Sequence, residues 1–321
     1  MSLAAIYETV KEDLDRVDKL INAVAEVDYP QLAELLGYSL KSGGKRIRPI
    51  LTLLSGKLHD YNRSSLLLMA SAVELLHAAT LVHDDAIDRS TVRRGRPTVN
   101  ALWSDDKAIL LGDYLFAKAG ELAADTRNLA VVKLFAQTLE IISAGEINQA
   151  FNAFNLEQTR QQYIDRISHK TASLFSLSTE SGAILSNAPE ESIKVLKEYG
   201  HYLGIAFQII DDVLDFISTE EEMGKPIGSD LAHGTLTLPA MLVLERYPKD
   251  NPVKRVFQNR DRQGNIKLAL ELVRNSSIIE ECYQVASDYC SIACRNLNVL
   301  PDNANRQILI DLADYIARRR K

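Results

Sequence analysis

Two short acidic clusters, each set in an apolar helical run, limit what this chain can fold into more than any other feature. The first lies in the stretch from His77 to Arg94, His-Ala-Ala-Thr-Leu-Val-His-Asp-Asp-Ala-Ile-Asp-Arg-Ser-Thr-Val-Arg-Arg, which follows an apolar run from Leu66 to Leu76. The run calls for burial, yet Asp84, Asp85 and Asp88 stand directly beyond it. On a helix Asp84 and Asp88 lie one turn apart on one face, with Asp85 beside them. At about 5 Å and an effective dielectric near 20, each like-charge pair costs roughly 3 kcal/mol, so something positive must offset it. Oxygen-only ligands at this spacing suit Mg²⁺, which takes one or two carboxylates, waters and substrate phosphate oxygens. The pattern recurs at Asp211, Asp212 and Asp215 within Phe-Gln-Ile-Ile-Asp-Asp-Val-Leu-Asp-Phe, again in an apolar run.

The composition fits an ordinary globular protein: 321 residues, 46% hydrophobic and 25% charged, with material for a large core. A formal net charge of −6 argues against a general nucleic-acid binder. No segment reads as a transmembrane helix, and the first residues lack a basic region followed by an apolar run, so a cytoplasmic protein without an integral membrane segment is expected. Cys282, Cys290 and Cys294 fall on one helical segment with no fourth ligand nearby, and read as reduced structural thiols rather than zinc ligands.

Periodicity is helical almost throughout. It predicts helices over 3–25, 28–40, 47–58, 64–90, 105–124, 127–153, 170–187, 191–218, 237–246, 264–274, 275–296 and 303–318. No linker, repeat or change of composition divides the chain. The expectation is an all-α fold, one large helical bundle over residues 1–321 with a central cavity. The polar stretch from Glu245 to Asn265 reads as a surface connection, and Arg318-Arg319-Arg320-Lys321 as a solvated tail that complements a helix C-terminus rather than a phosphate-binding segment.

Cations flank the acids. Ser42-Gly43-Gly44-Lys45-Arg46-Ile47-Arg48-Pro49 has the makings of an anion cradle: glycines for close approach, Lys45 and Arg48 for charge, and a helix start beyond. A Gly-Gly loop of this kind is also an ordinary turn. Arg93, Arg94 and Gly95-Arg96-Pro97 form a basic loop after the first cluster, equally read as a solvated charge run, while Lys170, Thr171 and Gln208 interrupt apolar helices and Lys225 follows the second cluster, although a lone Lys in a helix is more often a surface residue. Together these residues suit a ligand with a charged head and an apolar tail.

Gly-Gly-Lys-Arg-x-Arg-Pro, the two Asp-Asp-x-x-Asp clusters, Arg-Arg-Gly and Gly-Lys-x-x-Gly-x-Asp-Leu resemble the trans-polyprenyl diphosphate synthases, closely from about residue 40 to 240. The resemblance implies an isoprenoid synthase-like fold, a homodimer, and head-to-tail condensation of isopentenyl diphosphate with an allylic diphosphate. It implies that Asp84, Asp85, Asp88, Asp211, Asp212 and Asp215 hold Mg²⁺, about three ions per site, against the allylic diphosphate. Arg93, Lys170, Gln208 and Lys225 match allylic-side positions, and Thr171 matches one whose oxygen faces the allylic cation. Gly44, Lys45, Arg48, His77 and Arg94 match the isopentenyl diphosphate site. The proton lost after condensation goes to the departing diphosphate, so no protein base is assigned. In one place the chain departs from the pattern: Asp230-Leu-Ala-His-Gly-Thr-Leu-Thr237 lacks a Lys that many members carry.

Product length follows from packing. The tail should run between helices past Ala79 and Thr80, where related short-chain enzymes tend to carry an aromatic stopper; Ala79 leaves the path open. Phe135, Thr138, Ile142, Gly145 and Gln149 share one helical face, with Phe135 about 21 Å from Gln149. At one isoprene unit per turn this depth predicts a product of roughly thirty carbons or more, with Phe135 either the floor or ordinary core. Three rivals have distinct signatures. A terpene cyclase leaves Lys45, Arg48 and Arg94 without work, a non-catalytic subunit is expected to have eroded acidic clusters, and a metal phosphohydrolase built on His83-Asp84 lacks further His ligands.

Overall fold

The structure is a computed structural model and describes residues 3–41, 44–224 and 226–320, apart from the side chains of residues 222 and 223. Helices dominate. The first half comprises α1 (Leu3–Ala23), α2 (Pro30–Leu40), α3 (Ile47–Gly56), α4 (Arg63–Ile87), a ribbon of β1 (Val92–Arg93) and β2 (Arg96–Pro97), α5 (Val99–Leu102), α6 (Asp105–Asp125) and α7 (Leu129–Phe151). After α8 (Arg160–Ile167) a π-helical turn, Ser168–Ala172, leads into α9 (Ser173–Leu185) and α10 (Glu190–Ile217). The remainder is α11 (Glu220–Met223), α12 (Ser229–Ala232), α13 (Leu238–Arg246), α14 (Pro252–Phe257), α15 (Arg262–Arg274), α16 (Ile278–Cys294) and α17 (Ala304–Ala317).

Local chemistry sets many of the boundaries. The side chains of Asn62, Ser104, Asn128 and Asn303 accept backbone N–H groups at the starts of α4, α6, α7 and α17, and Thr159 with Gln162 closes a capping box on α8. Pro30 and Pro252 occupy the first helical turn, where a missing N–H costs nothing. One buried apolar cluster runs from Ile6 to Ile316. Helix α4 packs on α3, α6 and α9, whereas α10 packs on α9, α13, α16 and α17. The two helices that carry the acidic clusters are therefore both central.

Several expectations need correcting. Helix α4 is long and apolar enough to cross a membrane, but the apolar window is 67% buried inside the fold, so it is a core helix. Helix α8 was not expected, because a short polar segment that buries only Tyr163, Arg166 and Ile167 shows no apolar stripe. The stretch from Glu245 to Asn265 is not all surface connection: α14 crosses it and buries Val253, Val256 and Phe257. The basic loop after the first cluster is partly a two-residue ribbon, with Val92 opposite Pro97 and Arg93 opposite Arg96. The three cysteines are free, as expected, and burial pushes the Cys282 and Cys290 thiols up to about 12.

Candidate active site

The two acidic clusters face one cavity. Asp84 from α4 and Asp211 from α10 both line a space of about 400 Å³, together with Gly44, Lys45, Arg48, His77, Arg93, Arg94, Lys170, Thr171 and Gln208. Most of the diphosphate-binding residues singled out in the sequence therefore meet here, from five separate segments, with one aspartate of each cluster; Asp85, Asp88, Asp212 and Asp215 do not line this space. Lys225 lies outside the described residues.

The six carboxylates have different surroundings. Asp84 is reached by Lys170 Nζ at 3.3 Å, and the same ammonium bridges to Glu146 of α7 at 2.8 Å. Asp85 is buried and clamped by Arg93, whose Nε lies 2.8 and 2.9 Å from the two carboxylate oxygens. Burial raises the pKa of Asp85 and of Asp88, against the pull of Arg93 and Lys170 respectively. Asp211 is held by Arg319 Nη1 at 2.6 Å. Both oxygens of the buried Asp212 accept protein hydrogen bonds, from Tyr163 OH and from Gln208 Nε2, each at 2.8 Å. Desolvation, with the charge of Asp230 second, pushes Asp212 up to about 7. Asp215, also buried, accepts from Ser229 Oγ at 3.0 Å and from the Asp230 backbone N–H at 3.2 Å, which ties α12 to α10. Among the described residues, no three acidic, His or Cys side chains converge as a metal cluster. In this state cations and backbone donors balance the acids.

The basic wall is equally organised. Helix α3 starts at Ile47, two residues before Pro49, and Arg46 precedes it in a left-handed conformation with φ of 44°. Arg46 binds Asp18 of α1 at 2.9 Å and Glu74 of α4 at 2.7 Å, and Tyr7 of α1 donates to the Lys45 carbonyl, so α1 and α4 strap the glycine loop in place. Gly44 lies beside the ends of Arg94 and Glu74: a Cβ there would stand in ordinary contact, 3.4 Å from Arg94 Nη1 and 3.6 Å from Glu74 Oε1. Arg48 stacks on the Phe175 ring with Cζ 5.0 Å from its centre, and desolvation lowers its pKa to about 10. Its Nε is a buried donor without a hydrogen-bond partner, the mark of a site awaiting an acceptor. Burial, then Arg48 and Arg94, drive the His77 pKa well below its usual value, so the imidazole stays neutral.

The structure adds residues that sequence reasoning missed. Glu74 and Glu146 are acids on apolar helices, so the argument that singled out the aspartates would have found them. Tyr163 gave no signal. Arg319 was read as part of a solvated tail, and the structure corrects this: its side chain is 13% exposed, pairs with Asp211 and lies over Phe207. Tyr283 OH donates to the Arg319 carbonyl at 3.1 Å and so helps to anchor the turn.

The presumed tail path also changes. Thr80 of α4 and Ile142 of α7 line the cavity, whereas Ala79 does not. Ala79 is fully buried one turn before His83, on the α4 face that packs on α6, where a Cβ at Gly112 would collide with the His83 ring. Phe135 is buried deep on the same α7 face as Ile142.

Residues 29–273 match the sequence pattern of the polyprenyl synthetases. The chain belongs to that family. It is 37% identical over 320 residues to the heptaprenyl diphosphate synthase component 2 of Bacillus subtilis, covering 100% of this chain and 92% of the relative. A polyprenyl synthase from Caulobacter crescentus, solved with calcium and isoprenyl diphosphate, superposes with a TM-score of 0.95 at 31% identity, covering 100% of this chain and 98% of that one. A decaprenyl diphosphate synthase from Rhodobacter capsulatus gives 0.91 at 37% identity over 100% of both chains. The all-α isoprenoid synthase fold and a prenyltransferase activity follow for this chain.

Proposed function

We propose that the chain, acting as one domain, joins isopentenyl diphosphate head-to-tail onto an allylic diphosphate to give a trans-polyprenyl diphosphate of about thirty carbons or more. The observation that carries this reading is the single cavity on which Asp84, Asp211 and the cations of the glycine loop converge. The donor set fits Mg²⁺: every candidate ligand is a hard carboxylate oxygen, and the cations now paired with Asp84 and Asp211 mark where positive charge is wanted. Asp84, Asp88 and Asp211 would hold the ions, with Asp85, Asp212 and Asp215 set behind them by their own hydrogen bonds. When bound, magnesium supplies Lewis-acid stabilisation of the leaving diphosphate.

Arg93, Lys170 and Gln208 then orient the allylic diphosphate, and Lys225 is assigned to the same task from the motif. Gly44, Lys45, Arg48, His77 and Arg94 hold isopentenyl diphosphate, with the free Nε of Arg48 and the neutral His77 as donors. The apolar tail leads away past Thr80, Leu81, Ile142 and Leu174. The basic glycine-loop wall favours a second, non-allylic diphosphate over the single substrate of a cyclase. On α6 and α7, Leu110, Leu129, Ile147 and Phe151 are 60–88% exposed, an apolar face that suits pairing with a second copy.

The test is purified chain with Mg²⁺, radiolabelled isopentenyl diphosphate and each allylic primer in turn. Long linear products support the reading. Cyclic or alcohol products from an allylic diphosphate alone argue for a cyclase, and an inactive pure chain argues for a subunit that needs a different partner.

A further inference from the structure

Four side chains form an unbroken hydrogen-bonded line that ends at the cavity. Tyr163, fully buried on α8, donates its hydroxyl to Asp212 Oδ2 at 2.8 Å. Gln208 Nε2 donates to Asp212 Oδ1 at 2.8 Å, and Thr171 Oγ1 donates to Gln208 Oε1 at 2.6 Å. Thr171 and Gln208 line the cavity, and the π-helical turn carries Thr171 there.

The hydrogen bonds run one way along this line. Both Asp212 oxygens accept, so the Gln208 amide turns its NH₂ toward Asp212 and its carbonyl oxygen toward Thr171. That carbonyl cannot donate, so the Thr171 hydroxyl gives it its one proton. What Thr171 offers the cavity is therefore lone pairs alone. An oxygen dipole fixed in that sense stabilises positive charge without reorganising as the charge develops.

We infer that Tyr163 is a positioning residue for the allylic cation: by pinning the second oxygen of Asp212 it holds Asp212, Gln208 and Thr171 in place, so that Thr171 meets the cation with the negative end of its hydroxyl dipole. The inference rests on reading this cavity as the allylic site. No proton moves along the line. Without the tyrosine hydroxyl the Asp212 side chain keeps one of its two donors and can rotate, Gln208 and Thr171 shift with it, and the lone pairs of Thr171 are no longer held toward the cation.

The experiment compares Tyr163→Phe, Thr171→Val, Thr171→Ser and the Phe/Val double variant. Two quantities are read: kcat and KM for condensation, and the affinity of an ammonium analogue of the allylic diphosphate relative to its neutral isostere. Tyr163→Phe is expected to lower kcat and the preference for the cationic analogue about tenfold each, with KM nearly unchanged. In the Thr171→Val background it is expected to add nothing, because both changes act through one oxygen. Unchanged kcat and preference, or losses that multiply independently, overturn the inference. Should Tyr163→Phe fail to fold, Thr171 decides: Ser retaining the cation preference and Val losing it supports the line, and equal behaviour overturns it. A wild type that binds neither allylic analogue overturns the reading of the cavity and this inference with it, whereas a wild type that binds them and is indifferent to Tyr163→Phe overturns the inference alone.

Discussion

Replacing Thr80 by Phe should shorten the product while leaving the first condensation intact. Thr80 lies one turn below Asp84 on the same face of α4 and lines the cavity opposite Ile142 and Leu174. Glu146 and Ile142 line the cavity on α7, and Phe135 lies eleven residues from Glu146, about 16 Å or three turns, so a tail that follows this face to Phe135 has room for about three more isoprene units. A phenyl group at position 80 closes that path about 6 Å below the acidic cluster, which leaves room for about one unit. Products should fall from about thirty carbons or more to about fifteen to twenty. The ring enters an existing space of about 400 Å³, so the destabilisation should stay at or below the roughly 1–3 kcal/mol usual for overpacking. Labelled products, dephosphorylated and separated by reversed-phase chromatography, give the length, and single-turnover incorporation of one isopentenyl unit gives the first step. Unchanged product length would refute this path, and Ala79→Phe altering length where Thr80→Phe does not would move the path to the α4–α6 contact. If Phe135 is the floor, Phe135→Ala lengthens the product in the same assay.

Two further predictions concern the metal-free charge balance. Burial holds Asp212 up to about 7, so between about pH 4 and 7 the native state keeps a proton that the unfolded chain has shed. This group therefore makes metal-free protein less stable as pH rises through that window, by about 2–4 kcal/mol, and Mg²⁺ should restore the loss and release protons; urea titrations at both ends of the window, with and without the ion, check this. Flat metal-free stability across the window counts against it. Arg319 now neutralises Asp211, so Arg319→Ala should let Mg²⁺ bind the substrate-free protein about fivefold more tightly by calorimetry, the worth of one partly exposed ion pair. Unchanged or weaker binding contradicts that role.

What the sequence revealed, and what it hid, follows from the range of each interaction. Long periodic helices such as α4, α7 and α10 were legible within a few residues because apolar spacing and capping are local. Helix α8 was hidden because its burial comes from tertiary contacts: Arg166 caps the Leu236 carbonyl at 2.8 Å and Tyr163 reaches Asp212. The aspartates stood out as acids in apolar runs, but six identical side chains in the sequence become unlike groups in the fold. Asp84 and Asp211 face the cavity, while Asp85, Asp212 and Asp215 are committed to Arg93, Tyr163 with Gln208, and Ser229 with Asp230. The pair between Arg319 and Asp211 spans 108 residues, and no local pattern announces it.

The most direct measurement is condensation by purified Asp84→Ala and Asp211→Ala, each confirmed folded. If the two walls of acid grip one diphosphate through magnesium, kcat should fall by about a thousandfold or more in either variant. Turnover equal to wild type in either one would contradict the account.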